Sequence, residues 1–107
     1  MCSIQKTDEM ASAVAKTDNR VSLASIEAKI DSVVYHNPPH DLTLTLCFIT
    51  MKNGFSVIGK TKPADVANFD ADLGKKFAYE NAIRELWPLE GYLMCEKLTK
   101  EKENTHV

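Results

Sequence analysis

Few of the residues that usually announce a chemistry are present. Three cysteines, Cys2, Cys47 and Cys95, stand far apart with no C-x-x-C pair. An odd count without that spacing argues against a disulfide framework and a structural zinc site, and fits reduced intracellular thiols. Four glycines, Gly54, Gly59, Gly74 and Gly91, match neither G-x-x-x-x-G-K-[ST] nor G-x-G-x-x-G, so no phosphate-cradling loop is assigned. No G-x-S-x-G nucleophile elbow occurs. Positive charge is not in excess: 13 Lys and Arg face 15 Asp and Glu, a net charge of −2. That balance argues against broad electrostatic binding to a nucleic acid polymer. No apolar run approaches the roughly 20 residues of a membrane span, and the start Met-Cys-Ser-Ile-Gln-Lys lacks the apolar stretch of a signal peptide. The expectation is a soluble cytoplasmic chain with no membrane partner.

What is present suits one small domain. The chain has 107 residues, of which 44% are hydrophobic, enough for a core and too many for a wholly disordered chain. Residues 1–24 are rich in Ser, Ala, Thr and Asp. Met10, Ala11, Val14 and Ala15 form at most a weak helical stripe, so this segment reads as a mobile N-terminal arm or weak helix. Residues 25–98 carry the patterned signal of a single α+β domain, and 99–107 (TKEKENTHV) read as a disordered polar tail.

Within 25–98, Ser25 is placed to cap a short helix, and Ile30–Tyr35 is β-branched and aromatic, as strands prefer. Asn37-Pro38-Pro39-His40-Asp41 breaks the chain, since two prolines remove two ladder donors. In the next strand, Leu42, Leu44, Leu46 and Phe48 share one face, and Thr43, Thr45, Cys47 and Ile49 the other. Asn53-Gly54 suits a type I′ hairpin turn, and residues 55–60 return. Asp70 is a plausible cap for a helix over 71–87, which Pro88 stops or kinks; residues 90–98 favour a second helix. The expected fold is therefore a three-stranded antiparallel sheet (30–36, 42–51, 55–60) with a central Asn-Gly hairpin, packed by a long C-terminal helix.

On that helix, Tyr79, Ala82, Ile83 and Leu86 line up to pack on the sheet, while Leu73, Phe77 and Trp87 form a second apolar group. Between them run Lys76, Glu80 and Arg84 at i, i+4, i+8, the spacing of an ion-pair ladder. The second apolar group reads either as an ordinary wide face or as an oligomer surface or ligand wall.

Sites of chemistry are sparse. His36 and His40 flank prolines that forbid a shared helix face, so no metal site is expected. Cys47 sits mid-strand as a small hydrophobe, and Asp65, Asp70 and Asp72 favour a helix dipole. No nucleophile–base pair can be placed, so neither an enzyme nor a cofactor is expected. A site for an anion-bearing ligand needs less: a stacking aromatic, a cation, and amides for orientation. The candidate ligand-binding residues are Phe55, Asn68, Phe69, Lys76, Asn81, Arg84 and Trp87.

The run Leu44-Thr45-Leu46-Cys47-Phe48-Ile49-Thr50-Met51-Lys52-Asn53-Gly54-Phe55, then Gly59, resembles a family of small tailed-phage proteins. Asn68-Phe69-Asp70, Gly74-Lys75, Glu80-Asn81-Ala82 and Trp87-Pro88-Leu89-Glu90-Gly91-Tyr92 follow in the same order, so the likeness spans about residues 26–98. Related sequences often carry Glu-Ser-Ala-Cys after the hairpin glycine, where this chain has Lys60-Thr61-Lys62-Pro63. The family is in turn similar to the phage Thoeris anti-defense proteins of the first type. That resemblance implies a homo-oligomer in the cytoplasm of the infected bacterial host. It would bind a nucleotide-derived messenger of the cyclic ADP-ribose type and hold it without cleaving it. No ligand residue is carried over from that group; the seven candidates rest on this chain's own chemistry. The alternative is a small phage accessory protein that blocks a host protein through the Leu73, Phe77 and Trp87 face.

Overall fold

The computed structural model describes residues 3–104; Cys2 and the last three residues of the expected tail, 105–107, lie outside the described residues. The order is helix α1 (Ile4–Val14), helix α2 (Leu23–Glu27), strands β1 (Ile30–His36), β2 (Thr45–Met51) and β3 (Ser56–Thr61), a single 3-10 turn (Val66–Asn68), and helix α3 (Ala71–Asn104). The strands form one antiparallel sheet in the order β1-β2-β3. Helix α3 lies across its inner face, giving the expected α+β architecture.

The period-two pattern of β2 holds, but the inner face is the less obvious one. Thr45, Cys47, Ile49 and Met51 are buried, whereas Leu46 and Phe48 are only half-buried on the outside. The outer row Val34–Phe48–Ile58 leaves Val34 and Ile58 each 56% exposed. Gly59 explains the choice. It lies beside Cys47 in the register. A Cβ there would strike the Ala78 carbonyl oxygen and the Ala82 amide nitrogen. Only the Gly59 side lets the helix backbone approach this closely, so the helix docks there and Cys47 and Ile49 become core.

Strand β2 begins at Thr45 and not at Leu42. Asp41 accepts the Thr43 amide (3.2 Å) and hydroxyl (2.7 Å), and the Asn37 side-chain amide donates to the Leu44 carbonyl (2.8 Å). These local bonds engage groups that a strand would pair across the ladder. The Lys62 ammonium, at 2.6 Å, and then the Thr43 hydroxyl hold the Asp41 carboxyl down at about 2.

The hairpin turn is also a different type from the one expected. A type I′ turn needs positive φ at both central residues, but among the described residues only Gly54 (φ 91°) has it. The Gly54 amide bonds Met51, and the Met51 amide bonds Phe55, so the loop is the three residues Lys52-Asn53-Gly54. Asn53 accepts the Phe55 amide through its side chain (2.9 Å), the local bond that asparagine favours in turns. Gly54→Val is expected to cost about 1–2 kcal/mol, because a β-branched residue resists this φ although no atom lies within 4 Å. A urea midpoint within error of wild type would contradict that.

Two helix boundaries differ from expectation. Ser22, and not Ser25, caps α2: the two serines form a reciprocal capping box with Ser25 at the third helical position. Helix α3 runs 34 residues, straight through Pro88 and on through the stretch 99–104 that composition suggested was a tail. Pro88 is exposed, so its ring and its missing donor face solvent and not packed side chains. Asp70 caps this helix as expected, its carboxylate accepting the Leu73 amide (3.0 Å). The core gathers Ile26, Cys47, Ile49, Met51, Ala78, Ala82, Ile83 and Leu86, with Ile4 of α1 at its edge.

Candidate functional site

Helix α1 creates the site by lying beside α3 without sealing against it. The Ser3 hydroxyl caps α1 by accepting the Lys6 amide (3.1 Å). Ile4 is buried, and its amide donates to the Glu80 carboxylate on α3 at 3.0 Å. One turn on, Asp8 accepts both the Arg20 guanidinium (2.9 Å) and the Leu23 amide (3.2 Å). Those three side-chain attachments fix the first half of α1.

Between them and α3 is a cavity of about 420 Å³. Thr7, Asp8 and Ala11 line it from α1, Arg20 and Val21 from the linker, and Arg84 and Trp87 from α3. Its size falls within the roughly 300–1,000 Å³ of small-molecule sites. Two guanidinium groups against one carboxylate leave it a net charge of +1, beside the Trp87 indole. Arg84 donates to the Asn81 side-chain oxygen at 2.8 Å, which uses one of its five N–H groups. Asn81 in turn donates to the Lys60 carbonyl (2.9 Å), tying α3 to the edge strand.

The seven residues expected to bind ligand are scattered: Arg84 and Trp87 share this cavity, and the other five lie elsewhere. Lys76 lines a second cavity of about 430 Å³ on the other side of α1, with Tyr79, Glu80 and Glu27. Asn68 and Phe69 line a third of about 240 Å³ beside Leu73 and Phe77. Phe55 lies near the hairpin in a fourth, about 270 Å³, with Tyr92 and Leu93. Asn81 lines none of these four and serves the β3 edge. The Leu73, Phe77 and Trp87 group is likewise divided between two cavities.

The expected ion-pair ladder does not form. Glu80 is buried and bonds the Ile4 amide, Arg84 bonds Asn81, and no ion pair joins them among the described residues. A carboxylate here is worth more at the N-terminus of α1, where free N–H groups and the helix dipole favour it. Burial pushes the Cys47 thiol up, partly offset by the neighbouring Tyr35 hydroxyl, which suits a packed side chain and not a nucleophile. Burial, then the Glu27 carboxylate 2.6 Å away, pushes the Tyr79 phenol far up. Among the described residues no group of three or more His, Cys, Asp or Glu could hold a metal ion, and no helix is long and apolar enough to cross a membrane.

Thr7, Asp8 and Arg20 were not legible as site residues. Asp8 and Arg20 are twelve apart across a helix and a bend, a separation with no periodic meaning, and they meet only in the folded chain. The sequence model of the phage protein (N4 Gp49/phage Sf6 gene 66) family matches residues 21–98. No curated protein and no solved structure matches the chain.

Proposed function

The chain belongs to that phage protein family, and on that premise we propose that it sequesters a nucleotide-derived messenger of the cyclic ADP-ribose type in the infected host's cytoplasm. The observation that supports this reading is the single cavity in which Arg84 and Arg20 stand beside Trp87. A guanidinium meets a pyrophosphate with a planar fork of donors, and an indole offers a purine a stacking face. Asp8 already holds Arg20, so Arg84 is the principal anion partner and Arg20 the secondary one. Sequestration needs tight burial and no bond-making, and a homo-oligomer would bury a ligand further than one small chain can.

The test is a thermal-shift panel of cyclic ADP-ribose isomers and cyclic oligonucleotides. A ligand binding only the native state at a hundredfold excess over its Kd stabilises by about 2.7 kcal/mol. One class should shift the melt and be recovered intact after heating; recovery of a product would make the protein an enzyme instead. Arg84→Ala should weaken that ligand about tenfold or more, the worth of a hydrogen bond to a charged group. Undiminished affinity would assign Arg84 to the Asn81 bond alone. No shift across the panel would leave the second reading, a blocker of a host protein, which the exposed Val34 and Ile58 on either side of Phe48 on the outer sheet face favour.

A further inference from the structure

Helix α1 is attached to the rest of the molecule in an uneven way. Its first half is anchored: Ile4 is buried and its amide bonds Glu80, and Asp8 bonds Arg20 and Leu23. Its second half is open: Met10 is 63% and Val14 77% exposed. A helix this short, eleven residues, is marginal in water without such packing. The cavities of about 420 and 430 Å³ lie on its two sides, and both are lined by Ile4 and Asp8. Beneath α1 runs one continuous strip of α3: Lys76, Tyr79, Glu80, Ile83, Arg84 and Trp87. Residues 15–21, which join α1 to α2, are irregular, and 15–19 are exposed. The family match starts at residue 21 and leaves α1 outside it.

We infer that α1 is a strap that opens as a unit while the sheet and α3 stay folded. The latch is the Ile4 amide on the Glu80 carboxylate. The hinge is residues 15–21. With the strap closed, α3 shows two separate cavities. With it open, they merge into one groove floored by Ile83 and Trp87. Such sub-global opening belongs to segments with few buried apolar contacts, and α1 buries only Ile4. The inference concerns the free protein and does not depend on which ligand the cavity takes.

Native-state hydrogen exchange on the full chain tests it. In the wild type, the α1 amides should exchange at least about tenfold faster than those of β2 and of α3 near Ile83, as sub-global opening requires. Glu80→Ala removes the latch and should speed α1 exchange about tenfold more, the worth of a bond to a charged group, with β2 unchanged. Glu80→Gln keeps an acceptor oxygen and should fall between. Trp87 is the chain's only tryptophan, so its fluorescence reports the same opening. Acrylamide should quench it more strongly in Glu80→Ala than in wild type, at unchanged far-UV circular dichroism.

Two results overturn the strap. One is wild-type α1 exchanging only at the rate of global unfolding. The other is Glu80→Ala and Glu80→Gln accelerating every protected amide alike. If Glu80→Ala fails to fold, the wild-type exchange pattern and the Glu80→Gln variant still decide.

Discussion

Gly59→Ala is expected to cost about 3 kcal/mol or more, the upper end of overpacking penalties. The added methyl would meet backbone and not a side chain. It would fall on the Ala78 carbonyl oxygen and the Ala82 amide nitrogen, and 2.9 Å from the Ala82 Cα. A side chain could change rotamer to make room, but these atoms belong to the hydrogen-bonded turns of α3. Relief therefore requires the helix to lift from β3, which loosens Cys47, Ile49 and Ala78 together. Urea denaturation followed by circular dichroism measures the loss. Gly91→Ala is the matched control: nothing lies within 4 Å of its Cβ position, and alanine in a helix interior should add roughly 0.5–1 kcal/mol. A Gly59→Ala loss below about 1 kcal/mol, under the range for overpacking, would mean that α3 sits farther from the sheet than described.

Ile83→Ala is expected to cost about 3–4 kcal/mol, within the range for truncating a buried isoleucine. Ile83 has no exposed surface and shares the core with Ile26, Ile49 and Leu86. It also borders the cavity on the Lys76 side of α1, so truncation joins the new void to an existing one. Water entering from that open side limits the cavity penalty, which keeps the cost in the middle of the range. For a domain of this size that is a large share of the usual 5–15 kcal/mol of stability. A midpoint shift equivalent to less than about 1.5 kcal/mol would show that the site collapses around the smaller side chain.

These two positions also show what could and could not be read from the chain. The alternation in β2 says which residues share a face, but both faces are apolar enough to be inner. Gly59 decides between them, and its weight appears only once the helix backbone is seen against it. Asn53-Gly54 marks a hairpin, while its turn type depends on an Asn53 side-chain bond that competes with positive φ. Pro88 marks a helix stop unless its ring points to solvent, which depends on where the helix sits.

The candidate site was less legible still. Arg84 and Trp87 are three apart on one helix and so face one cavity, as helical spacing implies. Asn68 and Phe69 precede that helix, Phe55 belongs to the hairpin, and Lys76 faces the far side of α1. Residue type alone nominated them, and residue type carries no position. Glu80 shows the converse. Its spacing from Lys76 and Arg84 was right for a surface ladder, but a backbone amide 76 residues away claimed it.

The length of α3 has a mechanical consequence. The molecule measures 62 Å along its longest axis, against 31 and 18 Å along the others. Asn104 lies 16 residues beyond Pro88 (104 − 88), an arm of about 24 Å at 1.5 Å per residue. Proline deprives the Arg84 carbonyl of its helical partner, which makes this the softest point on the rod. A tilt of about 10° there would sweep the tip by about 4 Å. The pivot's freed carbonyl and the guanidinium in the cavity belong to the same residue. A bend there would begin one helical turn beyond a residue that lines the cavity.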